Sequence, residues 1–151
     1  MPQKDCMPQS PDRRPSDPNP GVAFRGQKFD ASKINDRRFA YDPRLERVQR
    51  FVEQHYDQPL PLEKIAAVAA LEKSYFSKYF HEKTGVCYHD WLHWIRVNHA
   101  IEFMYSHQMS VTEIAFAVGY QDLRTFERAF VKCTGQCPKT MKNEIRLKLG
   151  Y

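Results

Sequence analysis

The chain has 151 residues, of which 42% are hydrophobic, 27% charged and 13% aromatic. That is enough for one domain, or two very small ones, with a packed core. No run of about 18 apolar residues is present, and the N-terminus carries no apolar leader, so neither a membrane span nor a secretory signal is expected and the chain is placed in the cytosol. With 23 basic and 18 acidic residues the formal charge is +5, which is compatible with a polyanionic partner but does not demand one. Four cysteines in a cytosolic chain of this size do not read as a disulfide scaffold.

Residues 1–20 contain six prolines and almost nothing apolar, a composition that predicts disorder. Residues 21–42 carry Phe24, Phe29, Phe39 and Tyr41 without a clear period, so 1–42 as a whole is expected to be a disordered or loosely docked arm. Helical punctuation begins at Asp42, a capping residue followed by Pro43 at the first helical position. Leu45, Val48, Phe51, Val52 and Tyr56 then recur at helical spacing, and Pro59 and Pro61 end that segment. A short helix is predicted in LEKIAAVAA and a second in KSYFSKYFHEKTG, closed by Gly85. A long helix is predicted from about 88 to 106, with Trp91, Leu92, Ile95, Phe103 and Met104 as its core contacts. Ser110 and Glu113 form a capping box for VTEIAFAV. Asp122 caps DLRTFERAFVKCTG, and Pro138 starts a last helix running towards Leu147. No segment alternates as a strand would, so the fold class is all-α, over 43–147.

The two halves of this region repeat. IAAVAAL at 65–71 aligns with IAFAVGY at 114–120, and FSKYFHEKTGVC at 76–87 aligns with FERAFVKCTGQC at 126–137. Each copy is a short helix, a tight turn and a second helix: a helix-turn-helix written twice, at about 62–85 and about 111–134. Ala66 and Ala115 are small enough to let two helices approach. Gly119 suits a left-handed turn, whereas the first copy has Ala70 there. Phe76 with Phe80, and Phe126 with Phe130, give each second helix a buried aromatic stripe and leave a polar outer face, as a major-groove reader requires.

The stretch from about 44 to 143 resembles the DNA-binding domain of the AraC/XylS family of bacterial transcription regulators. The carrying residues are IAAVAALEKSYFSKYFHEKTG, Arg96 and Ala100 in the linker, and SVTEIAFAVGYQDLRTFERAFVKCTGQCP. The resemblance implies two homeodomain-like helix-turn-helix subdomains on a long linker helix, with both recognition helices in successive major grooves of double-stranded DNA. About forty mostly polar residues precede the fold, so the likeness is to small members without a sensing domain, of the multiple-antibiotic-resistance and superoxide-response type. It further implies an activator that touches RNA polymerase, acts as a monomer on DNA and resides in the bacterial nucleoid. Two departures stand out: Pro61 and Glu72 occupy positions where a capping serine or threonine is usual, so weaker capping is expected in the first unit, and His99 replaces a common basic residue.

Carried over position by position, the base readers are Ser74, Ser77 and Lys78 in the first unit, with Lys73 and Tyr75 beside them on the DNA-binding face, and Leu123, Arg124, Glu127 and Arg128 in the second. Lys132 and Lys139 are the candidates for phosphates. A linker of about nineteen residues spans roughly 28 Å, close to the ~34 Å between successive major-groove faces. Cys87 and Cys137 fall at helix starts, where a thiol pKa can be lowered, and Cys133 lies four residues before Cys137. A cysteine-based redox or metal sensor is therefore one alternative, and a helix-turn-helix module that binds another regulator or polymerase is a second. Four zinc ligands at workable spacing are not evident. No phosphate loop, catalytic triad or HExxH stretch is visible, so no metal, no cofactor and no enzymatic activity are expected.

Overall fold

The computed structural model describes residues 29–150, and every described element is helical. A 3-10 turn at Ala31–Lys33 leads into α1 (Asp36–Tyr41), α2 (Pro43–His55), α3 (Leu62–Val68), α4 (Lys73–Thr84), α5 (Tyr88–Ser106), α6 (Val111–Ala117), α7 (Leu123–Thr134) and α8 (Pro138–Leu149).

Two hydrophobic cores form, and α5 belongs to both. The first gathers Phe39, Leu45, Val48, Val52, Ile65, Phe76, Phe80, Tyr88 and Trp91, and its last member along α5 is Ile95. The second begins on α5 at Val97 and gathers Met104, Ile114, Val118, Tyr120, Phe126, Phe130 and Ile145. The linker residues expected to be apolar contacts are so: Trp91, Leu92, Ile95 and Met104 are buried, and Phe103 packs partly buried on the second core. In each unit the aromatic pair on the second helix lies at the centre, with ring centroids 5.6 Å apart for Phe76–Phe80 and again 5.6 Å for Phe126–Phe130.

Local sequence sets the helix ends. The Asp42 carboxylate accepts the Arg44 amide at 3.0 Å. Ser110 and Glu113 complete their reciprocal box at 3.1 and 2.8 Å, and Asp122 accepts from Thr125 N–H at 2.8 Å. Such caps each contribute on the order of 1 kcal/mol by satisfying amides that no carbonyl of the helix can reach. The expectation of weak capping in the first unit holds only at Pro61, which provides no side-chain cap. Glu72 does cap: its carboxylate accepts the amides of Ser74 at 2.8 Å and Tyr75 at 3.4 Å. A longer acidic side chain reaches the same donors as serine, and its charge suits the positive end of the helix dipole.

The expected arm needs correction. Residues 1–28, including Cys6, lie outside the described residues, but 29–42 is neither loose nor separate from the body. Phe39 on α1 is only 2% exposed. It stacks on Trp91 at 5.2 Å and meets the edge of Phe80 at 6.0 Å. Ile34 is buried beside it, and the Tyr79 hydroxyl donates to the Asp42 carboxylate. The folded body therefore starts before residue 43. A helix of six residues is too short to display a period, so nothing local announces it; its stability comes from one ring docking into a distant aromatic cluster.

Phe39→Ala should cost about 3–5 kcal/mol by chemical denaturation, the usual loss for emptying a core aromatic site. A loss below about 1 kcal/mol, the scale of surface substitutions, would show that α1 is peripheral.

Candidate nucleic-acid interface

The two second helices, α4 and α7, are built alike. Each has 12 residues, a carboxylate cap at its start and a left-handed glycine at its end. Each presents a polar strip opposite its phenylalanines. On α4, Lys73, Ser74, Tyr75 and Lys78 are exposed and Ser77 is half-buried. Tyr75, 55% exposed, stacks along Tyr79 with centroids 6.0 Å apart, and the Lys73 ammonium lies 3.2 Å from the exposed Glu63 carboxylate. A solvated pair of that kind contributes little and is easily exchanged for a phosphate.

On α7 the strip is uneven. Arg124 is exposed, whereas Glu127 and Arg128 are half-buried and Leu123 packs against the second core. Arg128 lies close enough to the α5–α7 seam for its charge to act on His93 of α5. Lys139, in the first turn of α8, is exposed. Lys132 is not placed as a phosphate ligand should be. Its Nζ is buried, and burial lowers its pKa while the Asp90 carboxylate on α5 opposes that shift. The Lys132 charge is thus set among the groups of the α5–α7 contact, with Asp90 near enough to act on it. A buried Nζ cannot reach a phosphate at the surface, so Lys139 alone of the two lysines is placed for one.

Neither Cys87 nor Cys133 is an activated thiol. Burial first, with the Asp90 carboxylate adding to it, pushes Cys87 up to about 11 and Cys133 up to about 12. The expected lowering at a helix start does not operate at Cys87, because desolvation of a thiolate outweighs a helix dipole. Cys137 is buried and its sulfur lies 3.3 Å from the Thr140 hydroxyl.

The seam between the units is polar at its centre. Arg96, between the last α5 residue of the first core and the first of the second, is buried. Its Nε donates to the Tyr56 carbonyl and its Nη2 to the Gln58 carbonyl, both at 2.8 Å. The guanidinium also lies over the Tyr120 ring, 5.4 Å from its centroid. Tyr120 in turn pairs through its hydroxyl with His93 Nδ1 at 2.6 Å. Burial first, then the neighbouring cations, pulls His93 down to about 3, so the ring is neutral at ordinary pH. His99 stacks flat on Tyr56, centroids 3.9 Å apart, so the departure noted there is taken up by an aromatic contact. Sequence reading found Arg96 and Tyr120 as signature residues but not this clamp. The available signal was a lone arginine in the apolar stripe of α5.

The turn glycine completes the seam. Gly119 has φ +103°, and Ala70, its counterpart, has φ +57°. Both turns are therefore left-handed, as the repeat implied, and the first is held by a residue that strains to adopt it. At Gly119 space is short as well: a Cβ there would lie 2.6 Å from the Tyr56 carbonyl oxygen and 3.1 Å from Arg96 Nε.

A family model described as a helix-turn-helix domain matches residues 65–144, more than half of the chain. An uncharacterized HTH-type transcriptional regulator of Staphylococcus aureus is 29% identical over 104 residues, covering 68% of this chain and 14% of that protein. The uncharacterized HTH-type transcriptional regulator YobQ of Bacillus subtilis is 25% identical over 95 residues, covering 63% of this chain and 39% of that one. The chain thus matches well under half the length of these curated relatives. Among solved structures, the DNA-binding domain of AdpA, a global transcriptional factor in complex with a target DNA, superposes with a TM-score of 0.65 at 25% identity, covering 71% of this chain and 96% of that one. The C-terminal domain of AraT, a response regulator from Geobacillus stearothermophilus, gives 0.64 at 28% identity, covering 68% and 86%.

Gly119→Val should lower the melting temperature, with about 1–3 kcal/mol from backbone strain alone and more from the contact with the Tyr56 carbonyl. Unchanged melting would mean that the turn is not seated against α2.

Proposed function

The chain belongs to the AraC-type helix-turn-helix family of transcription regulators, and we propose that it binds a specific double-stranded DNA site by setting α4 and α7 into successive major grooves. One observation carries this reading: two equivalent helices, each polar on one side and anchored by a phenylalanine pair on the other, are fixed to a single 19-residue helix. The likeness to AdpA, whose domain was solved on its target DNA, supports the same partner. Arg124 is the principal base reader, since an exposed arginine offers guanine a bidentate contact. Arg128 and Glu127 help to orient it from the same face, and Leu123 shapes the helix start. On α4, Ser74, Ser77 and Tyr75 make weaker base contacts, and Lys73 and Lys78 add charge. Lys139 holds a phosphate at the first turn of α8.

One chain supplies both recognition helices, so a monomer suffices for an asymmetric site of about two helical turns. Activation through RNA polymerase, by surfaces turned away from DNA, completes the proposal, with the bacterial nucleoid as the place of action. The chain works by binding, with no catalytic step.

The test compares Arg124→Ala with Lys139→Ala on a selected site and on scrambled DNA. Arg124→Ala should cost about 1–3 kcal/mol on the selected site and relax base preference at one or two positions. Lys139→Ala should weaken both DNAs alike and lower the salt slope by about one. Equal losses for both variants on both DNAs would contradict base reading by α7.

A further inference from the structure

The segment before α1 touches both recognition helices at the same kind of place. Asn35 N–H donates to the carbonyl of Thr84, the last residue of α4, at 2.8 Å. Phe29 N–H donates to the carbonyl of Lys132, in the last turn of α7, at 3.1 Å. The last four carbonyls of a helix have no amide within the helix to accept from, so one short stretch of backbone takes up one such group in each unit. Between the two bonds, the Lys33 carbonyl oxygen lies only 2.5 Å from the place a Cβ on Gly85 would take, so the segment is seated against bare backbone at the end of α4. Its apolar side chains anchor it to the first unit. Phe29 packs on the first core and Ile34 is buried in it, and directly after the segment Phe39 of α1 stacks on Trp91.

We propose that residues 29–35 form a strap that fixes the second recognition helix relative to the first, and so sets the half-site spacing one chain accepts. The geometry of the seam gives the strap its leverage. Arg96 and Tyr120 join the units midway along α5. Lys132 faces Asp90 near the start of α5, six residues and about 9 Å further along the helix axis. The α5–α7 packing and the Arg96 contact set the angle, and a second tie displaced along the axis stiffens α7 against rocking about them. The strap lies outside 65–144, the stretch that matches the family model.

The spacing role rests on the DNA-binding reading above, and the test separates the two. Phe29→Ala keeps the amide that bonds Lys132, while Phe29→Pro removes it. Residual dipolar couplings of the DNA-free chain should fit one alignment tensor for both units in the wild type and in Phe29→Ala. In Phe29→Pro the second unit should need its own, smaller tensor. On DNA, the wild type and Phe29→Ala should lose about ten-fold in affinity when one base pair is inserted between the half-sites, and Phe29→Pro should lose less than about three-fold. A single tensor in Phe29→Pro overturns the strap. Separate tensors with undiminished spacing discrimination overturn its role in spacing. A wild type that prefers no site overturns the DNA reading and the spacing role with it, and the tensors then decide the mechanical tie by themselves.

Discussion

The arrangement of the two units depends on one buried guanidinium. Arg96 occupies the boundary on α5 between two apolar cores, where a charge is costly unless its donors are met. It is met by the carbonyls of Tyr56 and Gln58, at the C-terminal end of α2, where the helix dipole is negative. Hydrogen bonds from a charged donor contribute about 1.5–3 kcal/mol each, and the Tyr120 face covers the remaining side of the ion. Carbonyls and a ring face impose direction, which apolar contact does not. That directionality turns two adjacent small domains into a body with a defined angle between its recognition helices. Gly119 follows as a requirement, because the backbone of the second unit must pass within contact of Tyr56 for Tyr120 to reach Arg96.

The two units share a plan but not its quality of execution. The second has a full capping box at Ser110 and a glycine in its turn. The first has Pro61 without a side-chain cap and Ala70 at positive φ. The first unit is compensated by tertiary means: α1 and α2 pack on it, and Phe39, Phe80, Tyr88 and Trp91 form an aromatic cluster larger than the Tyr120–Phe126–Phe130 row of the second. Weak local signals and strong long-range packing therefore occur together in the unit whose exposed face carries serines and a tyrosine. The locally well-specified unit carries the exposed arginine. The proposed DNA reading gives that asymmetry a meaning: the first unit mainly holds DNA and the second mainly reads it.

Features governed by near neighbours could be read directly from the sequence. Asp42 with Pro43, Ser110 with Glu113, and Asp122 each announce a helix start within four residues, and the observed caps use those same atoms. The doubled motif exposed the architecture because IAAVAAL and IAFAVGY repeat the same contacts at a fixed offset. What escaped depends on distant partners. Phe39 has no local pattern and gains its place only from Trp91 and Phe80. Lys132 looks like a surface lysine until α5 is set beside it with Asp90. Cys87 stands at a helix start, yet its thiol is governed by the core around it. Glu72 is a different case: the cap was present in the sequence but hidden by the expectation of a shorter side chain.

The central claim is that one rigid chain engages two major grooves on one face of DNA. Hydroxyl-radical footprinting of the full chain on a selected site, with stoichiometry measured on the same DNA, tests it most directly. The account predicts one chain per site and two protected windows about one helical turn apart, roughly 10–10.5 base pairs. A single protected window, or a palindromic site filled by two chains, would contradict it.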